Sequence, residues 1–241
     1  MAWSKLSNTL NKQPILWFLV FPAAIELTLI GMYFSGIRTL QSIIVPEVST
    51  NKYINREFGL LENLQNLVLL IIAMFVVRNI IRIKSGYRWI GILLAMGAVF
   101  FFLEEIDYGW HYRELIFGLP EYVKEGYFRN IHNSNDGLLR RIIQIVAMVS
   151  LIGLFILLPI LKGRSQNLNN IKLIPGIPFS ISGIGLLVIT GVAYLLEYMN
   201  PDMYDPLNNN TGEFTELWYY YLALLYIVYL RDQFIDVPEK E

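Results

Sequence analysis

Twenty acidic residues and two histidines supply most of the acid–base and ligand chemistry open to this 241-residue chain, which contains no cysteine. The densest group runs from Phe101 to Gly137, FFLEEIDYGWHYRELIFGLPEYVKEGYFRNIHNSNDG, and holds both histidines. If a helix continues through its first part, Glu104, Asp107, Tyr108 and His111 share one face, because residues three and four apart are neighbours on a helix. Asp107 and His111 are four apart, a spacing that can place two ligands on one ion, and His132 in the same stretch is the third candidate ligand. A divalent metal with mixed nitrogen and oxygen ligands is therefore one expectation for a cofactor, held by Asp107, His111 and His132. The other is a charge network in which Arg113, Arg140 and Arg141 neutralise the acids. The chain has no HExxH motif, phosphate-binding glycine loop or serine-nucleophile elbow.

Further acids fall at the ends of long apolar stretches: Glu62, Glu197, Glu213 and Glu216. Glu62, Glu104, Glu105 and Glu216 are the candidate catalytic carboxylates, as general acids and bases. A structural reading competes with this one. A carboxylate in a first helical turn is favoured by the macrodipole, and with Asn210 as N-cap Glu213 would complete a capping arrangement. That explanation fails for Glu104, Glu105 and Glu197, which lie at helix C-termini, where the dipole disfavours negative charge. A charge inside a membrane helix costs roughly 2.5–3.5 kcal/mol on insertion scales and is tolerated facing the bundle interior or water. Glu26 stands apart, near the middle of an apolar stretch and four residues after Pro22. It reads either as a proton-carrying or substrate-facing acid or as a neutral acid bonded within the bundle.

The elements that must position these residues are membrane helices. The composition is 55 % hydrophobic and 16 % charged, too apolar for an ordinary soluble domain. Its apolar blocks each match the length needed to cross roughly 30 Å of hydrocarbon. The expected fold is all-α: a single polytopic domain over 1–241, an integral membrane bundle of about six transmembrane helices. They are placed at 14–35, 60–80, 88–108, 139–161, 177–199 and 213–231. Lys5 and Lys12 precede the first apolar stretch, which is read as a retained helix because it is long, contains Glu26 and lacks a small-x-small cleavage site. Gly183, Gly185 and Gly191 in the fifth helix suit close helix–helix approach, Pro175 and Pro178 suit its start, and Pro201 suits a stop just beyond it.

Orientation follows the loop cations. The loops after the second and fourth helices carry seven positive charges (Arg78, Arg82, Lys84, Arg88, Lys162, Arg164 and Lys172) and no negative ones, whereas the fifth loop carries Asp202 and Asp205. Both termini are therefore expected in the cytoplasm, with the bacterial inner (plasma) membrane as the location. On this topology only Asp232, Asp236, Glu239 and Glu241 are cytoplasmic acids, and the other sixteen lie within the membrane or outside it. The segment Tyr112–Phe128 mixes aromatic and charged residues around Gly118–Leu119–Pro120. It is too polar to span, and is expected to lie in the interface or re-enter after the third helix.

The stretch LEEIDYGWHYRELIFGLPE at Leu103–Glu121, followed by NIHN at Asn130–Asn133, resembles a family of uncharacterised bacterial polytopic membrane proteins. These carry a Glu-Glu-Ile-Ser-Trp-Gly-Gln-like motif, a later Asn-x-His-Asn element and an acidic–glycine–acidic opening of the second helix, similar to REFGLLEN at Arg56–Asn63. This chain departs at Asp107, Tyr108 and Trp110, where the family has Ser, Trp and Gln. The resemblance marks Glu62, Glu104, Glu105, His132 and Asn133 as site positions and implies no activity.

Three function classes remain open. The first is a membrane-embedded enzyme acting on a lipid or prenyl substrate at the outer face, with Glu104 or Glu105 as base, Glu62 as its partner and His132 as ligand or proton donor. The second is a proton- or ion-coupled transporter, which would use Glu26. The third is an assembly or scaffold subunit binding a protein partner. Membrane lipid is the expected surrounding, and the net charge of −1 gives no reason to expect nucleic acid.

Overall fold

The structure, a computed structural model, describes residues 10, 12–47, 58–79, 88–109, 113, 116–117, 137–200 and 211–234. Every regular element among them is helical. Helix α1 opens as a π turn, Leu16–Val20, and continues as Phe21–Phe34; α2 is Arg38–Ile44, α3 Leu60–Asn79 and α4 Arg88–Glu105. Helix α5 joins three consecutive pieces, Gly137–Ser150, the π segment Leu151–Leu157 and Leu158–Lys162; α6 is Gln166–Asn169, α7 Ile177–Met199 and α8 Gly212–Phe234.

Four helices are long and apolar enough to cross a membrane: Leu16–Phe34, Leu60–Asn79, Ile145–Lys162 and Ile177–Met199. Their outward faces are apolar as well, with Leu67, Met74, Val149 and Val188 all more than half exposed. Such continuous apolar surface suits lipid and not water. Helix α4 is set apart by three charges in its 18 residues, Arg88, Glu104 and Glu105, and α8 by the tyrosines that lower its apolarity, Tyr219, Tyr220, Tyr221, Tyr226 and Tyr229.

Helix α8 sits centrally, packed against α1, α3 and α7, while α4 lies along α3 and α5 lies along α7. The core falls into three apolar groups. One surrounds Phe155, Phe179, Trp218 and Leu222, a second Leu29, Tyr33, Phe214 and Leu217, and a third Leu69, Ile72, Ala95 and Ala98.

Both π segments stand two residues ahead of a proline, Pro22 in α1 and Pro159 in α5. Proline lacks an N–H, and its ring crowds the carbonyl four residues back, so an ordinary helical ladder cannot run through it. The residue just before each proline instead reaches five residues back, Phe21 N–H to Leu16 O and Leu158 N–H to Gly153 O. Helix α7 packs against both wide turns. Its glycines allow the approach: a Cβ on Gly183 would lie 2.8 Å from Ile156 Cγ1, and one on Gly185 2.6 Å from Leu19 Cδ1.

Two expectations change. The third helix does not run to 108: it ends at Glu105, and the chain turns through a short 3-10 segment, Asp107–Gly109, with Tyr108 at φ 52° and Gly109 at φ 84°. Left-handed backbone at two successive residues ends a right-handed helix. The sixth expected helix, α8, begins at Gly212, so Thr211 and not Asn210 directly precedes it. The expected interfacial or re-entrant segment falls outside the described residues except for Arg113, Ile116 and Phe117.

Candidate functional site

The antiparallel packing brings one set of helix ends together: the C-termini of α1, α4 and α7 with the N-termini of α3 and α8. Glu62 lies in the first turn of α3, and Glu213 in that of α8. Glu104 and Glu105 form the last turn of α4, and Glu197 lies two residues before the end of α7. Glu62, Glu104, Glu105 and Glu213 are all buried, whereas Glu197 and Glu216 are half-buried.

The first-turn acids gain from the helix dipole. The C-terminal acids do not, and each is met by a hydroxyl instead. The Tyr108 phenol donates to Glu104 Oε1, the Tyr220 phenol to Glu105 Oε1 at 2.5 Å, and the Thr211 hydroxyl to Glu197 Oε2 at 2.5 Å. A donor aimed at a carboxylate makes a short, charge-assisted bond about twice as strong as a neutral one. Three donors from separate positions thus supply what the dipole withholds.

Tyr108 shows the effect from outside the helices. The hydrogen bond to Glu104, more than desolvation or the nearby charge, pushes its phenol up to about 12.

Tyr220 is the hub of the acidic end. Besides bonding Glu105 of α4, its hydroxyl feels the charges of Glu216 and Glu213 on its own helix. Gln65 of α3 lies fully buried one turn after Glu62, and its Nε2 donates to the Glu213 carbonyl at 2.7 Å, tying α3 to the start of α8. The candidate carboxylates Glu62, Glu105 and Glu216 therefore belong to the helices that Gln65 and Tyr220 join. Glu104 turns towards Tyr108 at the rim.

The metal reading gains nothing here. The single helical face of Glu104, Asp107, Tyr108 and His111 is overturned by the end of α4 at Glu105. His111 and His132 lie outside the described residues, as do Asn133, Arg140 and Arg141 for their side chains, while Asp107 is placed by its main chain alone. Among the described residues no group of three or more His, Asp and Glu could hold a metal ion.

Sequence reasoning missed Tyr220, Gln65 and Thr211. Tyr220 stands in an unbroken aromatic run, Trp218–Tyr221, that does not single it out, and its partner is 115 residues away. Gln65 carried a usable signal, an amide three residues after Glu62 inside an apolar run.

The opposite end is organised by main-chain acceptors. Lys162 Nζ donates to Ile174 O at 2.6 Å, Tyr229 also reaches Ile174 O, and the Tyr226 hydroxyl donates to Leu173 O at 2.8 Å. Comparison of the chain with protein-family models, curated proteins and solved structures gives no match.

Proposed function

We propose that the chain is an integral membrane protein of six spanning helices, related to the family with the Glu-Glu-Ile-Ser-Trp-Gly-Gln-like motif. In this reading it performs acid–base chemistry on a lipid or prenyl substrate at its acidic end. The count of six rests on packing. Helix α8 lies between α1, α3 and α7, and α4 lies along α3, so both share the depth of the four clearly apolar helices. The tyrosines that lower the apolarity of α8 bond inside the bundle, through Tyr220, Tyr221, Tyr226 and Tyr229. The cation-rich loops then put both termini in the cytoplasm and the acidic end outside.

The observation that carries the activity is the Glu105–Tyr220 pair, a buried carboxylate and a half-buried phenol from different helices 2.5 Å apart. Such a pair can accept a proton at the carboxylate and pass one from the phenol. Glu105 is the proposed base, Glu62 and Glu216 flank it, and Glu104 holds the rim through Tyr108. The test is the lipid and prenyl-lipid profile of membranes carrying the wild-type protein, Glu105→Gln or Glu62→Gln as their sole copy, at matched protein levels. A species that accumulates in both variants supports the reading. Profiles identical to wild type in both overturn it.

A further inference from the structure

Glu26 is 99 % buried, since 1 % of its surface is exposed, and neither carboxylate oxygen has a hydrogen-bond partner. It lies about 15 Å along α1 from Leu16 and about 12 Å from Phe34, far from either helix end. The buried face of α1 consists of Pro22, Glu26, Leu29, Ile30 and Tyr33, so Glu26 is turned into the bundle at the centre of that face. The apolar core divides at this point. Phe18, earlier on α1, belongs to the group around Trp218, and Leu29 to Tyr33 belong to the group around Phe214. The main chain of Trp218 on α8 lies beside the carboxyl group without hydrogen-bond geometry to either oxygen.

The seam between α7 and α8 is polar from the acidic end down to this level. It holds Thr211 with Glu197, then Thr215 with Thr190 at 3.0 Å, then the Trp218 indole N–H donating to Ser182 Oγ at 3.0 Å. Thr190 gives its own hydrogen to Leu186 O, so Thr215 donates to Thr190. One turn further, the Tyr221 hydroxyl donates to Trp17 O of α1.

We infer that Glu26 is a proton-binding site within the membrane, taking up and releasing a proton at its carboxylate by way of the α7–α8 seam. A structural acid in a core is normally satisfied by donors, because an unpaired buried polar group is costly. Glu26 has none, so the group that satisfies it is one that comes and goes. The charged residues on the helices packed against α1 are Arg38 of α2, Glu197 of α7, and Glu213, Glu216, Arg231 and Asp232 of α8. All but Glu216 stand in end turns; Glu216 shares the face of α8 that carries Tyr220, which bonds α4. The Tyr221 phenol is committed to Trp17, which leaves the proton as the species that matches a lone carboxylate at this depth. This site is separate from the acidic end, and neither reading depends on the other.

Infrared spectroscopy of the protein in lipid bilayers tests it, comparing wild type with Glu26→Gln. The expected result is a carbonyl stretch of a protonated carboxylic acid that is absent in Glu26→Gln, shifts on exchange into D2O, and disappears as pH rises. Thr190→Val should slow the D2O shift severalfold. No difference between wild type and Glu26→Gln at any pH overturns the proposal, as does a band that ignores both pH and D2O. Loss of the band on adding sodium at fixed pH also overturns it, in favour of a metal cation. If Glu26→Gln does not fold, Glu26→Asp serves, because it moves the band instead of deleting it. Glu105→Gln leaves the band in place, so a failed lipid assay and a failed Glu26 assignment are distinguishable.

Discussion

The glycines of α7 offer a graded test of the packing, because one substitution meets three different surroundings. An added Cβ at Gly183 would lie 2.8 Å from Ile156 Cγ1 and 3.4 Å from its Cδ1. Ile156 is β-branched and stiff at χ1, and it belongs to a π segment whose backbone is fixed by Pro159, so it has little room to turn. Relief requires α5 and α7 to move apart by a few tenths of an ångström along their contact. Forcing an extra carbon into a packed interface typically costs about 1–3 kcal/mol. At Gly185 the nearest atom is the Leu19 Cδ1 methyl at 2.6 Å, the free end of a flexible side chain, with the Trp218 ring behind it at 3.1 and 3.2 Å. Leu19 can swing away but Trp218, anchored to Ser182, cannot, so part of the clash remains. At Gly191 nothing lies within 4 Å. Thermal unfolding in detergent, followed by size-exclusion chromatography, should rank Gly183→Ala and Gly185→Ala several degrees below wild type, at roughly 2–4 °C per kcal/mol for a chain of this size. Gly191→Ala should fall within about 0.5 kcal/mol of wild type. Leu19→Ala should rescue much of Gly185→Ala and none of Gly183→Ala. Equal melting of all three glycine variants, or rescue of Gly183→Ala by Leu19→Ala, would refute the packing described here.

Tyr220→Phe should destabilise by about 1–3 kcal/mol, the cost of leaving buried Glu105 short of a donor. Combined with Glu105→Gln it should cost less than the sum of the two, and strict additivity in melting would show that the pair is not bonded. Ser182→Ala strands the Trp218 indole N–H in the core and should lower stability by a similar amount; an unchanged melting curve counts against that bond. Ultraviolet titration should lose the equivalent of one tyrosine ionising near 12 in Tyr108→Phe. The sign follows from the upward shift. The Tyr108–Glu104 bond contributes fully below the ordinary phenol value of about 10 and is lost as pH rises towards 12.

The helices were largely legible because lipid makes length and apolarity decisive. The expected 60–80 and 177–199 match Leu60–Asn79 and Ile177–Met199, and Pro178 does lie in the first turn of α7. The end of α4 was not legible, because Tyr108 in a left-handed conformation is an exception to the preference of non-glycine residues. Nor were the small helices α2 and α6, whose lengths leave no periodicity to read. At the candidate site, the sequence placed Glu62, Glu104 and Glu105 at helix ends and posed the problem of negative charge at a C-terminus, but left open whether they face the interior or water. The solution was not legible. Tyr108, Tyr220 and Thr211 act as donors through folding geometry, and spacing along the chain carries no trace of the two longer pairings.

Each π segment amounts to an insertion that its helix has absorbed without breaking. One residue turns a helix by about 100°. The wide turn already takes up that rotation, so deleting a single residue from Leu151–Leu157 would return the stretch to α register and leave the faces beyond it nearly where they are, with Lys162 still at Ile174. The same deletion in an ordinary α turn of α5 would swing everything beyond it by the full angle and carry Lys162 away from Ile174. At Leu16–Val20 a lost residue would likewise leave Glu26 facing the bundle. These two places are therefore where α1 and α5 can change length by one residue and keep the same faces against α7.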